Sequence, residues 1–130
     1  MEKIIIKPGE RTPYVEFDFP KGYLLMRGES YPEDAAAFFG PLLQSLREFI
    51  GGLDGGAVVM DLEMSYFNSS SAKALMNLFL LLEKAAQEGV SVTINWRYHE
   101  GDDTIQESGE DFAEDFEKAV FNLCPIAEKN

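Results

Sequence analysis

The chain has 130 residues, of which 45% are apolar, and it includes ten Phe, five Tyr and one Trp. This length predicts one domain spanning residues 1–130, and the apolar fraction excludes an intrinsically disordered chain. Lys and Arg number 11 against 23 Asp and Glu, a net charge of −12, and the cations form no basic stripe, so nucleic acid is not an expected partner.

The first third of the chain predicts a β-hairpin followed by a helix. Residues 14–19 alternate polar and apolar side chains, and after a Pro-Lys-Gly turn residues 23–27 give a second strand. Residues 30–33 (Ser-Tyr-Pro-Glu) match a capping box and predict the start of a helix that ends at Gly51. Pro41 lies inside this helix and predicts a kink or a restart just before it.

The middle of the chain continues with a strand, a helix and a strand. Residues 57–64 predict a central strand, and a serine-rich turn at residues 67–73 leads into a long helix that ends at Gly89. Residues 90–98 then alternate apolar and polar side chains, which predicts a strand with one face to the helices and one to water.

The last segment adds one helix and one strand. An acidic helix is expected at residues 102–117, with Ile105, Phe112 and Phe116 facing inward, and a final strand at residues 120–126. Strands and helices that alternate after an initial hairpin indicate an α/β fold. We expect a single-domain sandwich in which a mixed sheet carries its helices mainly on one face.

Three simple sequence properties bear on the cellular location. Cys124 is the only cysteine, so it forms no internal disulfide, and its apolar neighbours predict a small buried side chain. The longest apolar run, residues 78–82, is far shorter than a membrane span, and the amino terminus lacks a signal-peptide core. We expect a cytoplasmic protein that does not bind membranes.

The sequence gives little support for catalysis. The only histidine, His99, falls at the exposed end of the alternating strand. No nucleophile elbow, phosphate-binding glycine loop, dinucleotide fingerprint or zinc-protease helix is present. We therefore predict no catalytic residue and no cofactor.

The sequence of the acidic helix is compatible with several functions. Five carboxylates have helical spacing and crowd one face: Asp103, Glu107, Glu110, Asp111 and Glu114. The segment does not match a calcium-binding loop. Three interpretations remain open, namely a solvated face, a docking surface for a basic partner and a divalent-cation site.

The serine-rich turn at residues 68–71 (Asn-Ser-Ser-Ser) is the most informative segment. A helix start has unpaired backbone N–H groups and the positive end of the dipole, so it favours a phosphate. The residues are consistent with simple helix capping, with a regulatory phosphorylation site or with an anion-binding pocket.

The helix after this turn has more apolar surface than one sheet face requires. Its polar stripe is marked by Lys73, Asn77, Lys84 and Glu88, yet Leu80 and Leu81 fall on or beside that stripe. Deeper burial under the other helix would explain these leucines, and so would an exposed patch for a protein partner.

Several motifs in register resemble the SiaC family of regulatory phosphoproteins. They are residues 27–33 (RGESYPE), 66–73 (YFNSSSAK), 96–98 (WRY), 102–103 (DD) and 107–111 (ESGED). The resemblance covers nearly the whole chain. It implies a fold like that of STAS domains and anti-sigma-factor antagonists, and a bacterial switch without catalysis of its own.

The resemblance also implies a mechanism. A dedicated kinase phosphorylates the serine-rich turn, a PP2C-type phosphatase reverses this, and the unmodified protein activates a diguanylate cyclase, which raises cyclic di-GMP and promotes biofilm. The phosphoacceptor falls on Ser69, where the family commonly has Thr. Whether Ser70 is also modified stays open. We expect the partner to be contacted by Asn68, Ser70, Ser71, Lys73, Asn77 and Leu80.

Two other functions belong to different classes. The first is a metal-dependent enzyme that uses the carboxylates of residues 102–111. The second is a small-ligand sensor in which Trp96 and Tyr98 line a pocket, although half-buried strand packing also explains both aromatic residues.

Overall fold

The computed structural model describes residues 1–127, whose six strands form one sheet in chain order. The strands are β1 (Ile4–Ile6), β2 (Tyr14–Asp18), β3 (Tyr23–Ser30), β4 (Ala57–Phe67), β5 (Ser91–His99) and β6 (Val120–Ile126). The helices are α1 (Ala35–Gly51), α2 (Ser69–Gln87) and α3 (Asp103–Ala113), and a 3-10 turn (Phe19–Lys21) joins β2 to β3.

The sheet is mixed. Strands β1, β2 and β3 are antiparallel neighbours, whereas β3, β4, β5 and β6 run parallel. Each parallel pair needs a crossover connection, and α1, α2 and α3 supply the three crossovers in turn. The predicted α/β architecture and the predicted hairpin are therefore confirmed.

One hydrophobic core fills the space between the sheet and the three helices. Alternate residues of β2, β3, β4 and β5 are buried against the helices, which confirms the alternation expected for residues 90–98. The opposite sheet face is more exposed and more polar. The largest fully buried side chains include Trp96, Phe17, Phe39, Phe79, Leu24 and Met26.

The two edge strands are poorly suited to further pairing. Strand β1 has three residues, and β6 contains the exposed Pro125, which has no N–H to donate. Within residues 1–127, none of the helices has the length and apolar character needed to cross a bilayer.

The start of α1 differs from the prediction. The helix begins at Ala35, and its cap is Asp34, whose carboxylate accepts a hydrogen bond from the backbone N–H of Ala37 at 3.0 Å. The predicted capping box at residues 30–33 was wrong. Ser30 is the last residue of β3 and pairs with Phe67 of β4, and Glu33 forms an ion pair with Arg11 at 2.6 Å. A local capping pattern was overruled by a tertiary pairing.

Three smaller expectations also need correction. Helix α1 runs through Pro41 as one continuous helix, so the restart, one of the two outcomes predicted there, is wrong, whereas the predicted end at Gly51 is confirmed. Helix α3 ends at Ala113, earlier than expected, because residues 114–119 connect it to β6. Cys124 is only half-buried, since it lies on the strand at the sheet edge.

Helix α3 packs unusually close to the sheet. The indole N–H of Trp96 donates a hydrogen bond to the backbone carbonyl of Ile105 at 2.9 Å. Gly109 faces the same ring, and a β-carbon at this position would overlap Trp96 and Leu123. Glycine is therefore required here by close packing and not by a backbone conformation that favours glycine.

We predict that Gly109→Ala lowers the free energy of unfolding by about 1–3 kcal/mol, because its methyl group overlaps Trp96. Urea unfolding followed by tryptophan fluorescence measures the change. Gly40→Ala in α1 is the matched control, since nothing lies within 4 Å of the added carbon. Alanine there is expected to raise stability by up to about 1 kcal/mol, so equal midpoints for the two variants would contradict this packing.

A buried carboxylate anchors the connection between α3 and β6. Glu83 of α2 is 5% exposed, and its oxygens accept hydrogen bonds from the backbone N–H groups of Glu117, Lys118 and Ala119 at 2.8 to 3.3 Å. Burial by itself raises the pKa of Glu83, but these three amides and Gln87 more than offset it, so the pKa lies below its ordinary value.

We predict that Glu83→Gln destabilises the fold by about 2 kcal/mol at neutral pH, because the neutral amide cannot accept from all three N–H groups. The contribution of wild-type Glu83 is full above its ordinary pKa of 4.5 and is lost as the pH falls through the lower folded-state pKa. The difference between the two proteins should therefore shrink in acid.

Denaturant titrations from neutral pH into acid measure the difference in unfolding free energy between wild type and Glu83→Gln. Glu88→Gln, an exposed carboxylate at the end of the same helix, is the control and should change stability by less than about 0.5 kcal/mol. If the loss of unfolding free energy in Glu83→Gln stays constant from neutral pH into acid, the charge of Glu83 is not the stabilising element.

Candidate functional site

The serine-rich turn forms the start of α2 at the end of β4. Asn68 is the N-cap residue, and its side-chain carbonyl accepts a hydrogen bond from the N–H of Ser71 at 2.9 Å. Ser69, Ser70 and Ser71 are thus the first three residues of the helix. Capping is confirmed for Asn68, which leaves the hydroxyls of Ser69 and Ser70 free for another role.

The three serines lie in different environments. Ser69 and Ser70 are exposed, whereas Ser71 is 0% exposed. The Ser71 hydroxyl lies 2.7 Å from the hydroxyl of Ser30, which is equally buried at the end of β3. The predicted contact between Ser71 and a partner is therefore not compatible with this conformation, since the Ser71 side chain lies inside the molecule.

The local field around Ser69 favours negative charge. The first turn of α2 carries no acidic residue, and its unpaired N–H groups form the positive end of the helix dipole. Lys73 is exposed one helical turn after Ser69 and forms no ion pair with any residue in the described part of the chain. An anion on the Ser69 oxygen would thus be stabilised by both groups.

An apolar groove between α1 and α2 begins beside this turn. It has a volume of about 350 Å³. The groove is open because the side chains that border it are small. Helix α1 presents two alanines and Gly40 here, and Ala74 faces them from α2. The lining residues are Ala35, Ala36, Phe39, Gly40 and Leu43 of α1, and Ser70, Lys73, Ala74 and Asn77 of α2.

The predicted contact residues fall on one stripe of α2. Ser70, Lys73 and Asn77 line the groove, and Leu80 continues the stripe with 51% of its surface exposed. The structure therefore brings together four of the six predicted contact residues. Asn68 is half-buried and caps the helix instead of lining the groove, and Ser71 is buried. The contribution of α1 was not predicted, although the small residues at positions 35, 36 and 40 were a possible signal.

The ligand-sensor hypothesis is not supported at Trp96. This side chain is 1% exposed, and its ring packs against those of Phe67, Phe79 and Phe112. It is a core residue and not the wall of a pocket, and the alternation of the strand had already indicated this. Tyr98 is half-buried on the same face, which agrees with strand packing.

The acidic helix does not form a metal site in residues 1–127, where no three metal-ligating side chains come together. Asp102 caps α3 by accepting a hydrogen bond from the N–H of Ile105 at 3.1 Å. The carboxylates of α3 are exposed to solvent. His99 is likewise exposed at the end of β5, as predicted.

A polar ladder crosses the open face of the sheet and was not foreseen from the sequence. Asp61 accepts hydrogen bonds from the Tyr23 hydroxyl and from the side-chain amide of Asn95, both at 2.8 Å. Asn122 extends the ladder to β6 at 3.0 Å, and the Arg97 guanidinium lies 3.6 Å from Asp61. Burial and the Asp61 carboxylate raise the pKa of Tyr23 to about 12.

Comparison with known proteins connects this arrangement to one family. The sequence profile of the SiaC family regulatory phosphoproteins matches residues 6–126. An uncharacterised protein of Pseudomonas aeruginosa strain UCBPP-PA14 is 35% identical over 116 residues, which are 88% of this chain and 90% of that protein. The chain belongs to the SiaC family of regulatory phosphoproteins.

Two solved structures show the same fold. SiaC of Pseudomonas aeruginosa superposes with a TM-score of 0.88 at 32% identity, covering 97% of this chain and 100% of the other. A chain in the crystal structure of the diguanylate cyclase SiaD in complex with its activator SiaC, from the same species, gives a TM-score of 0.85 at 32% identity, covering 96% of this chain and 99% of that chain.

Proposed function

We propose that this protein is a non-catalytic cytoplasmic switch whose unmodified form binds and activates a diguanylate cyclase, and which phosphorylation of Ser69 releases from that partner. The consequence in the cell is control of cyclic di-GMP and of biofilm formation. Family membership supports a regulatory role, and the similarity to the SiaC that activates SiaD supports the choice of partner.

The observation that carries the proposal is the position of Ser69 beside the groove. Its hydroxyl is exposed at the first residue of α2, and Ser70, the next residue, already lines the groove. A partner seated in the groove would contact Lys73 and Asn77 and reach Leu80. Any group attached to Ser69 therefore lies at the edge of the surface that the partner covers.

Phosphorylation is expected to change this surface and not the fold. A phosphate brings about −1.5 to −2 charges, and the N-terminus of α2 together with Lys73 accommodates negative charge. Helix α2 therefore stays folded after modification. A partner that covers the phosphate without a matching cation pays several kcal/mol to desolvate it, which lowers affinity by orders of magnitude.

A kinase and a PP2C-type phosphatase would act on the same exposed hydroxyl. Ser69 is exposed at the first residue of α2, so both enzymes can reach it without unfolding the chain. The family commonly has threonine at this position, and serine presents the same nucleophilic oxygen without the methyl group. This difference affects which kinase recognises the turn and leaves the chemistry of transfer unchanged.

We predict that Ser69→Asp weakens binding to the diguanylate cyclase of the same organism at least about tenfold, while Ser69→Ala binds like wild type. Isothermal titration calorimetry with the purified cyclase measures both affinities. Ser91→Asp is the matched control, because it adds the same charge at an exposed serine at the opposite end of the sheet. Equal affinities for Ser69→Asp and Ser69→Ala would refute the switch.

We also predict that Leu80→Ala weakens cyclase binding about tenfold with little change in thermal stability, because half of this side chain is exposed and it extends the groove stripe. Ile5→Ala on β1 provides the control, since Ile5 is exposed to the same degree, 53% against 51%, but lies at the far edge of the sheet. Similar losses of cyclase affinity in the two variants would show that the partner does not dock along α2.

A further inference from the structure

A buried pair of hydroxyls connects the end of β3 to the start of α2. Ser30 and Ser71 are both 0% exposed, lie 41 positions apart in the chain, and place their Oγ atoms 2.7 Å from each other. Two buried hydroxyls are costly to bring together unless they bond, because a lone hydroxyl in this position would lose its water and gain no partner.

Ser30 contacts the serine-rich turn with its main chain as well. Its backbone carbonyl accepts a hydrogen bond from the N–H of Asn68 at 3.1 Å, next to the hydroxyl bond to Ser71. A register shift in the pairing of β3 with β4 sets this position, because it brings Ser30 beside Phe67, the last residue of β4. The first turn of α2 is thus held at two points by one residue.

This attachment fixes which hydroxyls of the turn reach solvent. With Ser71 turned inward, the helical rotation places Ser69 on the outer surface and directs Ser70 toward the groove. A helix start without such an attachment frays readily, and fraying would expose all three serines as an extended segment. The order in the turn therefore depends on a residue from another strand as well as on the Asn68 cap.

We propose that Ser30 is a positioning residue that makes Ser69 the selective phosphoacceptor of the turn, an inference that rests on the proposed function. In the transfer, the Ser69 oxygen forms a bond to the terminal phosphorus of a nucleoside triphosphate as the bond to the leaving nucleoside diphosphate breaks. The hydroxyl proton passes to a base of the kinase. Ser30 takes no part in these bonds and acts through the geometry of Ser71.

The test compares wild type, Ser30→Ala and the double variant Ser30→Ala/Ser71→Ala, each expressed in the native host in place of the wild-type protein. Peptide mapping by tandem mass spectrometry gives the share of phosphate on each serine. Wild type should carry phosphate on Ser69. In Ser30→Ala the share on Ser70 and Ser71 should rise about fivefold, the factor that one net hydrogen bond gives.

The double variant separates positioning from stability. It removes both hydroxyls, so no buried polar group is left unpaired, and its melting temperature should return close to that of wild type. If Ser30 positions the turn, phosphate on Ser70 stays raised in the double variant despite the recovered stability. A double variant with both wild-type stability and phosphate confined to Ser69 would overturn the inference.

The possible failures are distinguishable. Wild-type protein without phosphate on residues 68–71 would refute the proposed function and the selectivity together. Phosphorylated wild type with the same phosphate distribution in Ser30→Ala would refute the selectivity alone and leave the switch in place. Ser45→Ala, at a half-buried serine of α1 outside the turn, serves as the control and should leave the distribution unchanged.

Discussion

Parallel pairing between β3 and β4 determines where the residues of the proposed switch lie. The pairing ends with Ser30 beside Phe67, and the register shift after Gly28 brings Phe67 to the helix side of the sheet, where its ring contacts Trp96. Helix α2 therefore leaves the sheet at one fixed point. The orientation of its first turn follows from strand register and not from the turn sequence alone.

Helix α2 has two faces with separate tasks. The buried face carries Leu75, Leu78, Phe79 and Leu82 into the core, which holds the helix against β4 and β5. The exposed face borders the groove between α1 and α2. Because the core is untouched by changes on the exposed face, a charge placed there can alter binding while most of the free energy of folding is retained.

The elements that the sequence predicted well are those whose signals are local. The alternation of β5 was clear because one face is buried, and Asn68 caps α2 within four residues. Ser30 was misassigned to a helix start because its partner, Ser71, is distant in sequence and no local pattern reports it. The role of Glu83 could not be predicted for the same reason, since its amide partners lie 34 to 36 residues away in the sequence. The candidate site was thus predictable on α2, and its support from β3 and α1 was not.

The structure of the two sheet edges limits how copies of this chain can associate. A three-residue strand at one edge and Pro125 at the other leave few free backbone groups in line for a neighbouring chain. Strand addition between copies, the first step toward fibrils, is therefore disfavoured even at high local concentration. Under the proposed switch the partner binds on the helical side, where recognition depends on side chains and is reversed by a single modification.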